Sequence, residues 1–276
     1  MLLILMVTGV LAVEINILGS LSIEQDGKRV MSASQRASVI LSLLALSPGS
    51  PVPFDQIVDE LWAGRSMANA RNALQANIGR LRKILKEVTG MNGDLLVRTV
   101  GTGYLLDVSP EAVDAYRFVT MADKGGELCR RDPRAAVAEL EAALALWRGP
   151  ALLDACDGLR CSAQAAYLEE RRVTAYEDLV TAKLAVDAER MPLAELRQFV
   201  EEHSERERLS ELLMLALYRD GRQAEALEVF HGARRRLADD LGLEPGRALH
   251  SAYQAILVQD AGLGEPRRAL VDAVFM

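Results

Sequence analysis

The spacing of apolar positions changes period several times in the first hundred residues. Stretches 14–18, 21–25 and 28–31 alternate or run apolar over strand lengths, broken by Gly19-Ser20 and by Asp26-Gly27, and Asp-Gly is a hairpin turn signal. From 34 to 47 the apolar residues Ala37, Ile40, Leu41 and Leu44 return at helical spacing until Pro48-Gly49 stops the pattern. Residues 54–62 (FDQIVDELW) follow Pro51-Val52-Pro53 as a second, short helix, and 63–66 read as a turn. In 70–88, Leu74, Ile78, Leu81, Leu85 and Val88 fall on one stripe, so a third helix packs on the two before it. Strand character comes back in 95–100 and 104–108, joined by Gly101-Thr102-Gly103 as a β-hairpin.

Strands, three helices and a closing hairpin, in that order, describe a winged helix-turn-helix (α+β) domain with an extra N-terminal sheet over residues 14–109. After a linker at Ser109-Pro110 the period is helical throughout: 113–128, 133–147, 162–188, 193–203, 207–220, 223–241 and 245–259. Around Gly221 the residues Leu217, Tyr218, Ala226 and Phe230 are placed as in a tetratricopeptide (TPR) helix-turn-helix. The chain is therefore mainly α, with a winged helix followed by an all-α TPR-like domain over 110–260 and an unassigned tail over 261–276. The apolar run 1–13 lacks a basic n-region and falls short of the ~20 residues that span a bilayer. It reads as a leader outside the domains, with a degenerate signal peptide as the alternative and no membrane partner expected.

Composition supports a helical body, with aromatics at 5% and Ala, Leu, Glu and Arg abundant. Three cysteines without CxxC spacing do not make a disulfide framework, which points to a reduced, cytoplasmic protein. Three scattered histidines offer no metal-ligand spacing, and no cofactor is expected. A net charge of −7 argues at first against a nucleic-acid partner. The distribution reverses that inference: residues 14–108 hold ten Lys and Arg against nine Asp and Glu, while the remainder holds 22 against 30. Between Ala70 and Lys86 there are five basic residues and no acid.

With Leu74 and Ile78 on the buried stripe, the third helix turns Asn72, Gln75, Ala76, Gly79 and Lys83 outward, with Arg80 beside them. Asn and Gln can pair bidentately with adenine, Arg and Lys with guanine or phosphate, and small residues allow close approach, so this face suits double-stranded DNA. A solvated charged face is the plain alternative, and its position just before a hairpin argues against it. In the hairpin, Arg98 and Thr102 are placed to reach backbone or minor groove. Gln35 and Arg36 open the first helix, where phosphates bind readily. No phosphate loop, nucleotide fingerprint, nucleophile elbow or spaced metal ligands occur, so the chain is not expected to be an enzyme.

The segments LGSLSI, SQR at Ser34 to Arg36, DELW at Asp59 to Trp62 and ARNALQANIGRLRKIL at Ala70 to Leu85, with the GY of the hairpin, resemble the Streptomyces antibiotic regulatory protein family. LWRGPAL, LEERR, ALYRDGRQAEAL and LGLEP further along resemble the bacterial transcriptional activation domain that accompanies that head. The resemblance implies an OmpR-type winged helix, as in phosphorelay output domains, that binds short direct repeats near a promoter −35 region. It also implies activation of an antibiotic gene cluster with RNA polymerase holoenzyme as a partner, and leaves room for a homodimer on tandem repeats. By matching the motif, Arg71, Asn72, Gln75, Asn77, Arg80, Arg82 and Lys83 become candidates for DNA contact. Ser34 stands where a basic residue is common, Val100 replaces a common wing arginine, and Gly101-Thr102 replace the usual prolines; phosphate anchoring is expected to weaken unless Arg98 compensates. A protein-binding TPR-like adaptor and a repressor with the same head are the competing readings, and residues 14–108 alone are expected to bind DNA.

Overall fold

The computed structural model describes residues 13–31, 34–62, 69–186 and 191–264. The expected leader over 1–13 and turn over 63–66 therefore lie almost wholly outside the described residues, as does the tail from 265. Within them the chain is mainly helical, with a winged helix carrying two small sheets followed by a helical domain. It divides into two compact units. One holds the described residues up to Met121 together with 143–172; the other holds 122–142 and those from Val173 onward.

In the first unit, β1 (Glu14–Asn16), β2 (Ser22–Gln25) and β3 (Lys28–Met31) form an antiparallel sheet in chain order. Its β2–β3 turn has Asp26 and Gly27 both at positive φ, 51° and 77°, the geometry that an Asp-Gly hairpin turn requires. Helix α1 (Gln35–Ala45) is buried from Ala37 to its end. It is followed by β4 (Val52–Pro53), α2 (Phe54–Trp62) and α3 (Ala70–Thr89). Leu74, Ile78, Leu81 and Leu85 of α3 are each at most 1% exposed, and α3 packs on α1 and on β2. Burying each such side chain contributes about 1.5–3 kcal/mol. Gly90, at φ 69°, ends α3 in the left-handed conformation.

The hairpin is shorter than its pattern suggested. Residues Gly93–Leu96 form a single turn, α4, capped by the Asn92 side chain, and the strands are β5 (Val97–Val100) and β6 (Gly103–Leu106). No strand is expected at Pro51-Val52-Pro53, yet β4 pairs Val52 with Tyr104 and completes a sheet of order β4-β6-β5. Two residues are too few for a period to register, and Pro53 is tolerated because β4 is an edge strand.

After a 3-10 turn at Pro110–Ala112 come α5 (Asp114–Leu128), α6 (Pro133–Leu144) and α7 (Leu159–Val186). Sequence periodicity assigned all three to the helical body. The ends of α5 and α7 that belong to the first unit nevertheless join the winged head through hydrogen bonds to buried backbone. Asp114, 1% exposed, accepts from the Ile17 and Leu18 amides at 2.7 and 3.1 Å and pairs with Arg148 at 3.0 Å. The Leu18 carbonyl accepts from the Arg148 amide at 2.9 Å, and the Ile17 carbonyl accepts from the Leu152 amide at 2.8 Å. Asp154 takes the Leu21 amide at 2.6 Å. Gly19 lies so close under this strap that an added Cβ would sit 3.1 Å from Arg148 Cβ, at a φ of +133°. Burial pushes the Asp114 carboxyl above its ordinary value, against the opposing pull of the two amides and Arg148.

A second joint runs through α2. Glu60, 5% exposed, accepts from the Arg160 and Cys161 amides at 3.0 and 2.7 Å, so a side chain of α2 caps the N-terminus of α7. Gly158 makes room for it, since an added Cβ there would fall 2.1 Å from the Glu60 carboxyl carbon. Helix α6 ends at Leu144 rather than reaching Trp147 because the Leu146 and Trp147 amides turn back three residues and Arg148 enters the strap. Trp147 then meets Phe118 edge-on at 5.2 Å, with Arg172 over its ring at 4.7 Å.

The second unit is wholly helical among its described residues. Helices α8 (Leu193–Glu202), α9 (Glu207–Arg219), α10 (Gln223–Arg236) and α11 (Arg247–Leu257) bury Leu196, Val200, Leu209, Leu213, Phe230, Leu249 and Ile256 in one core. The α9–α10 turn places Gly221 at φ 78°, with the Arg222 amide donating back to Leu217, as the TPR-like spacing implied. The helix expected over 223–241 does run to Leu241, changing at Leu237 from α to a π-helical turn, Leu237–Leu241.

Removing Asp114 leaves Arg148 unpaired and two buried amides without an acceptor. Asp114→Ala is expected to lower stability by about 3–5 kcal/mol in urea denaturation; an unchanged midpoint would show the clamp to be dispensable. By the same reasoning the segment 14–108 alone, stripped of Asp114, Arg148 and Asp154, is expected to unfold at lower urea than the full chain.

Candidate nucleic-acid interface

The burial of Leu74, Ile78, Leu81 and Leu85 determines what α3 presents to solvent. Arg71, Asn72, Gln75, Ala76, Gly79, Arg80 and Lys83 are all exposed, and positions 72, 75–76, 79–80 and 83 follow one another a turn apart along a single face. Arg71 stacks over Phe54 of α2, with its guanidinium carbon 5.1 Å from the ring centroid. Asn72 donates to Asn69 at 3.3 Å. Lys83 lies 3.8 Å from Glu87 in an exposed pair worth little in water, which leaves its charge available. The side chains of Gln75 and Arg80 make no hydrogen bond or ion pair with the described residues.

Two motif-derived candidates do not lie on that face. Asn77 is 2% exposed and donates to the Ala73 carbonyl at 2.8 Å. Its position three residues after Leu74 and four before Leu81 puts it on the packing side, away from any groove. Arg82 is turned toward the hairpin: it donates to the Val97 carbonyl at 2.9 Å and to Thr99 Oγ1 at 3.0 Å and pairs with Asp94 at 2.9 Å. It fastens the β5–β6 wing to α3. Spacing along the helix shows that position 82 leaves the exposed stripe, but nothing in the sequence names the strand that receives it.

The remaining candidates divide as well. Arg36 is exposed at the start of α1 and has no ion-pair partner among the described residues. Gln35 is exposed, but its amide donates to the Asp154 carbonyl at 2.8 Å and so serves the strap. In the wing, Arg98 is half exposed and pairs with Asp107 at 2.8 Å; like Lys83 it sits in an exposed pair worth little in water, which leaves its charge available. Thr102 is exposed at the hairpin tip, with its carbonyl accepting from the Phe54 amide at 3.2 Å. Gly101 takes φ 55°, and an added Cβ on Gly103 would lie 2.3 Å from the Val52 carbonyl oxygen, so both glycines are structural.

Burial pushes the Cys129 thiol up to about 12, and burial with the Glu60 carboxylate raises Cys161 further, so neither supplies a thiolate at neutral pH. Among the described residues no cluster of three or more His, Cys, Asp or Glu is placed to hold a metal, and no helix is long and apolar enough to cross a membrane.

The chain is similar to known proteins in sequence and in fold. Residues 27–106 match the family described as transcriptional regulatory protein, C terminal, and residues 113–257 match the bacterial transcriptional activator domain. The chain is 43% identical over 255 residues to the transcriptional regulator RedD of Streptomyces coelicolor, covering 92% of this chain and 73% of that one. It is 36% identical to the regulatory protein DnrI of Streptomyces peucetius, covering 91% and 94%. Among solved structures it superposes on Mycobacterium tuberculosis EmbR in complex with a low affinity phosphopeptide, with a TM-score of 0.85 at 29% identity over 96% of this chain and 68% of that one.

The geometry of Arg82 separates a structural role from a phosphate contact. Arg82→Ala is expected to cost about 1.5–3 kcal/mol of stability, the range for hydrogen bonds to a charged group, while leaving the salt dependence of DNA affinity unchanged. A flattened salt dependence at unchanged stability would return Arg82 to the interface.

Proposed function

The chain belongs to the Streptomyces antibiotic regulatory protein family of transcriptional regulators, and we propose that it activates an antibiotic biosynthetic gene cluster by inserting α3 into the major groove of promoter DNA. The observation that carries this reading is the exposed face of α3. Asn72 and Gln75 offer amide groups that match a base edge, Arg71, Arg80 and Lys83 offer cations, and there is no acid from Ala70 to Lys86. Arg36 at the start of α1 adds a phosphate contact and Thr102 a contact from the wing tip. The target is taken to be short direct repeats near the −35 region, occupied by two copies of the chain.

In this reading segment 113–257 faces protein, with RNA polymerase holoenzyme as the partner. Its acidity suits a protein surface better than a phosphate backbone. Protein that binds DNA in this way acts in the bacterial cytoplasm, at the nucleoid, and carries out no catalysis. Footprinting on the promoters of the chain's own cluster, followed by transcription with purified holoenzyme, tests both halves. Protection upstream of the start site with lowered transcript would make it a repressor, and no protection at all would leave a protein-binding adaptor.

Gln75 and Arg80 are expected to behave differently. Gln75→Ala relaxes preference at one operator position by about 1–3 kcal/mol. Arg80→Ala, if Arg80 touches phosphate, weakens all sequences alike and flattens the slope of log affinity against log salt by about 0.9. If both substitutions leave affinity, specificity and slope untouched, α3 is not the reading helix.

A further inference from the structure

Most described glycines in this chain have a visible reason to be glycine. Gly27, Gly90, Gly101, Gly221 and Gly242 lie at positive φ, while at Gly93, Gly103 and Gly125 an added Cβ would meet Arg82, Val52 or Leu140 at 2.1, 2.3 or 2.5 Å. Gly79 has neither reason. It stands in the middle of α3 at ordinary helical φ, exposed, and an added Cβ would meet nothing within 4 Å. A glycine inside a helix destabilises it relative to alanine through its backbone freedom, so the free protein gains nothing from this residue.

The direction of the missing Cβ is informative. In a helix it tilts toward the N-terminus, so a side chain at 79 would cover the turn of Gln75 and Ala76. Gly79 and Ala76 together leave a shallow recess on α3, with Gln75 on one side and Arg80 and Lys83 on the other, in the middle of the candidate reading face. We propose that Gly79 is the point of closest approach between α3 and DNA, where the absent side chain lets the edge of a base pair in the major groove touch the helix backbone and lets Gln75 reach its base. The proposal rests on the assignment of α3 to the groove and adds that residue 79 sets docking depth and thereby specificity.

Stability and affinity should then move in opposite directions on one substitution. In the full chain, Gly79→Ala is expected to raise Tm by about 2–4 °C, as an alanine gained in an exposed helix does, and to weaken binding to the duplex that wild-type protein enriches from a random-sequence library by about tenfold, as an overpacked contact does. Gly232→Ala is the control: Gly232 lies inside α10, where an added Cβ meets only Arg236 Nη1 at an ordinary 3.5 Å. It should leave affinity unchanged. A Gly79→Ala protein that binds as tightly as wild type, while Gln75→Ala still loses preference, overturns the close approach alone. A fall in Tm overturns it too, by showing that the fold itself needs glycine at 79. If wild-type protein enriches no duplex, the assignment of α3 to DNA fails and the proposal falls with it.

Discussion

The backbone of Ile17 and Leu18 runs through a part of the molecule that water does not reach, with both side chains at most 1% exposed. Buried amides and carbonyls must find partners, and a strand cannot supply them here because β1 ends at Asn16. The partners come from more than ninety residues away: the Asp114 carboxylate for both amides, and the Arg148 and Leu152 amides for the two carbonyls. A charge is tolerable at that depth because the carboxylate accepts two amides and faces a guanidinium. Satisfying four backbone groups thus ties the N-terminal sheet to segments that follow the winged helix in sequence.

The orientation of α3 depends on that tie. Helix α3 packs on β2 and α1, and β2 is held through the Leu21 amide and the strap residues Arg148 and Asp154. Helix α2, which carries the Phe54 ring beneath Arg71, is held separately by Glu60 at the N-terminus of α7. The wing is fastened to α3 itself by Arg82. A binding face has to be positioned to within a fraction of an ångström by its supporting residues, and for α3 that support comes partly from Asp114 and from residues 148–161. This gives LGSLSI, DELW and LWRGPAL a physical reason to occur together. Gly19 and Leu18 of the first lie under Arg148 of the third, and Glu60 of the second caps α7 just beyond it.

Long periodic elements were legible in the sequence and short cross-chain devices were not. The stripe from Leu74 to Leu85 showed which face of α3 is buried, and therefore that Gln75, Arg80 and Lys83 are exposed, because one period repeated over about three turns leaves little freedom. The Asp26-Gly27 turn and the Gly221 turn were legible for a local reason, since both need positive φ. By contrast β4 has two residues and α4 a single turn, and neither is long enough to show a period. Asp114, Glu60 and Arg148 looked like ordinary charged positions on helices or at their ends, since partners roughly a hundred residues distant leave no mark on local spacing. Asn77 and Arg82 fell within the matching motif, yet the first is buried and the second is turned toward the wing, because a motif match does not distinguish exposed positions from packed ones.

The charge pattern links the two groups of arginines. Asp94 and Asp107 sit on the hairpin side of the head, and each is met by an arginine, Arg82 and Arg98 respectively. Those acids would otherwise repel a phosphate backbone close to α3. Pairing offsets the charge of both acids and leaves the exposed Arg36, Arg71, Arg80 and Lys83 with fewer opposing charges nearby. Acids elsewhere in the chain weigh little against it, because at physiological ionic strength screening confines an exposed charge to about 8 Å. An overall charge of −7 is thus compatible with a DNA-binding face. The sign that matters is the one summed within a Debye length of the exposed face, to which the helix contributes five basic residues and no acid between Ala70 and Lys86.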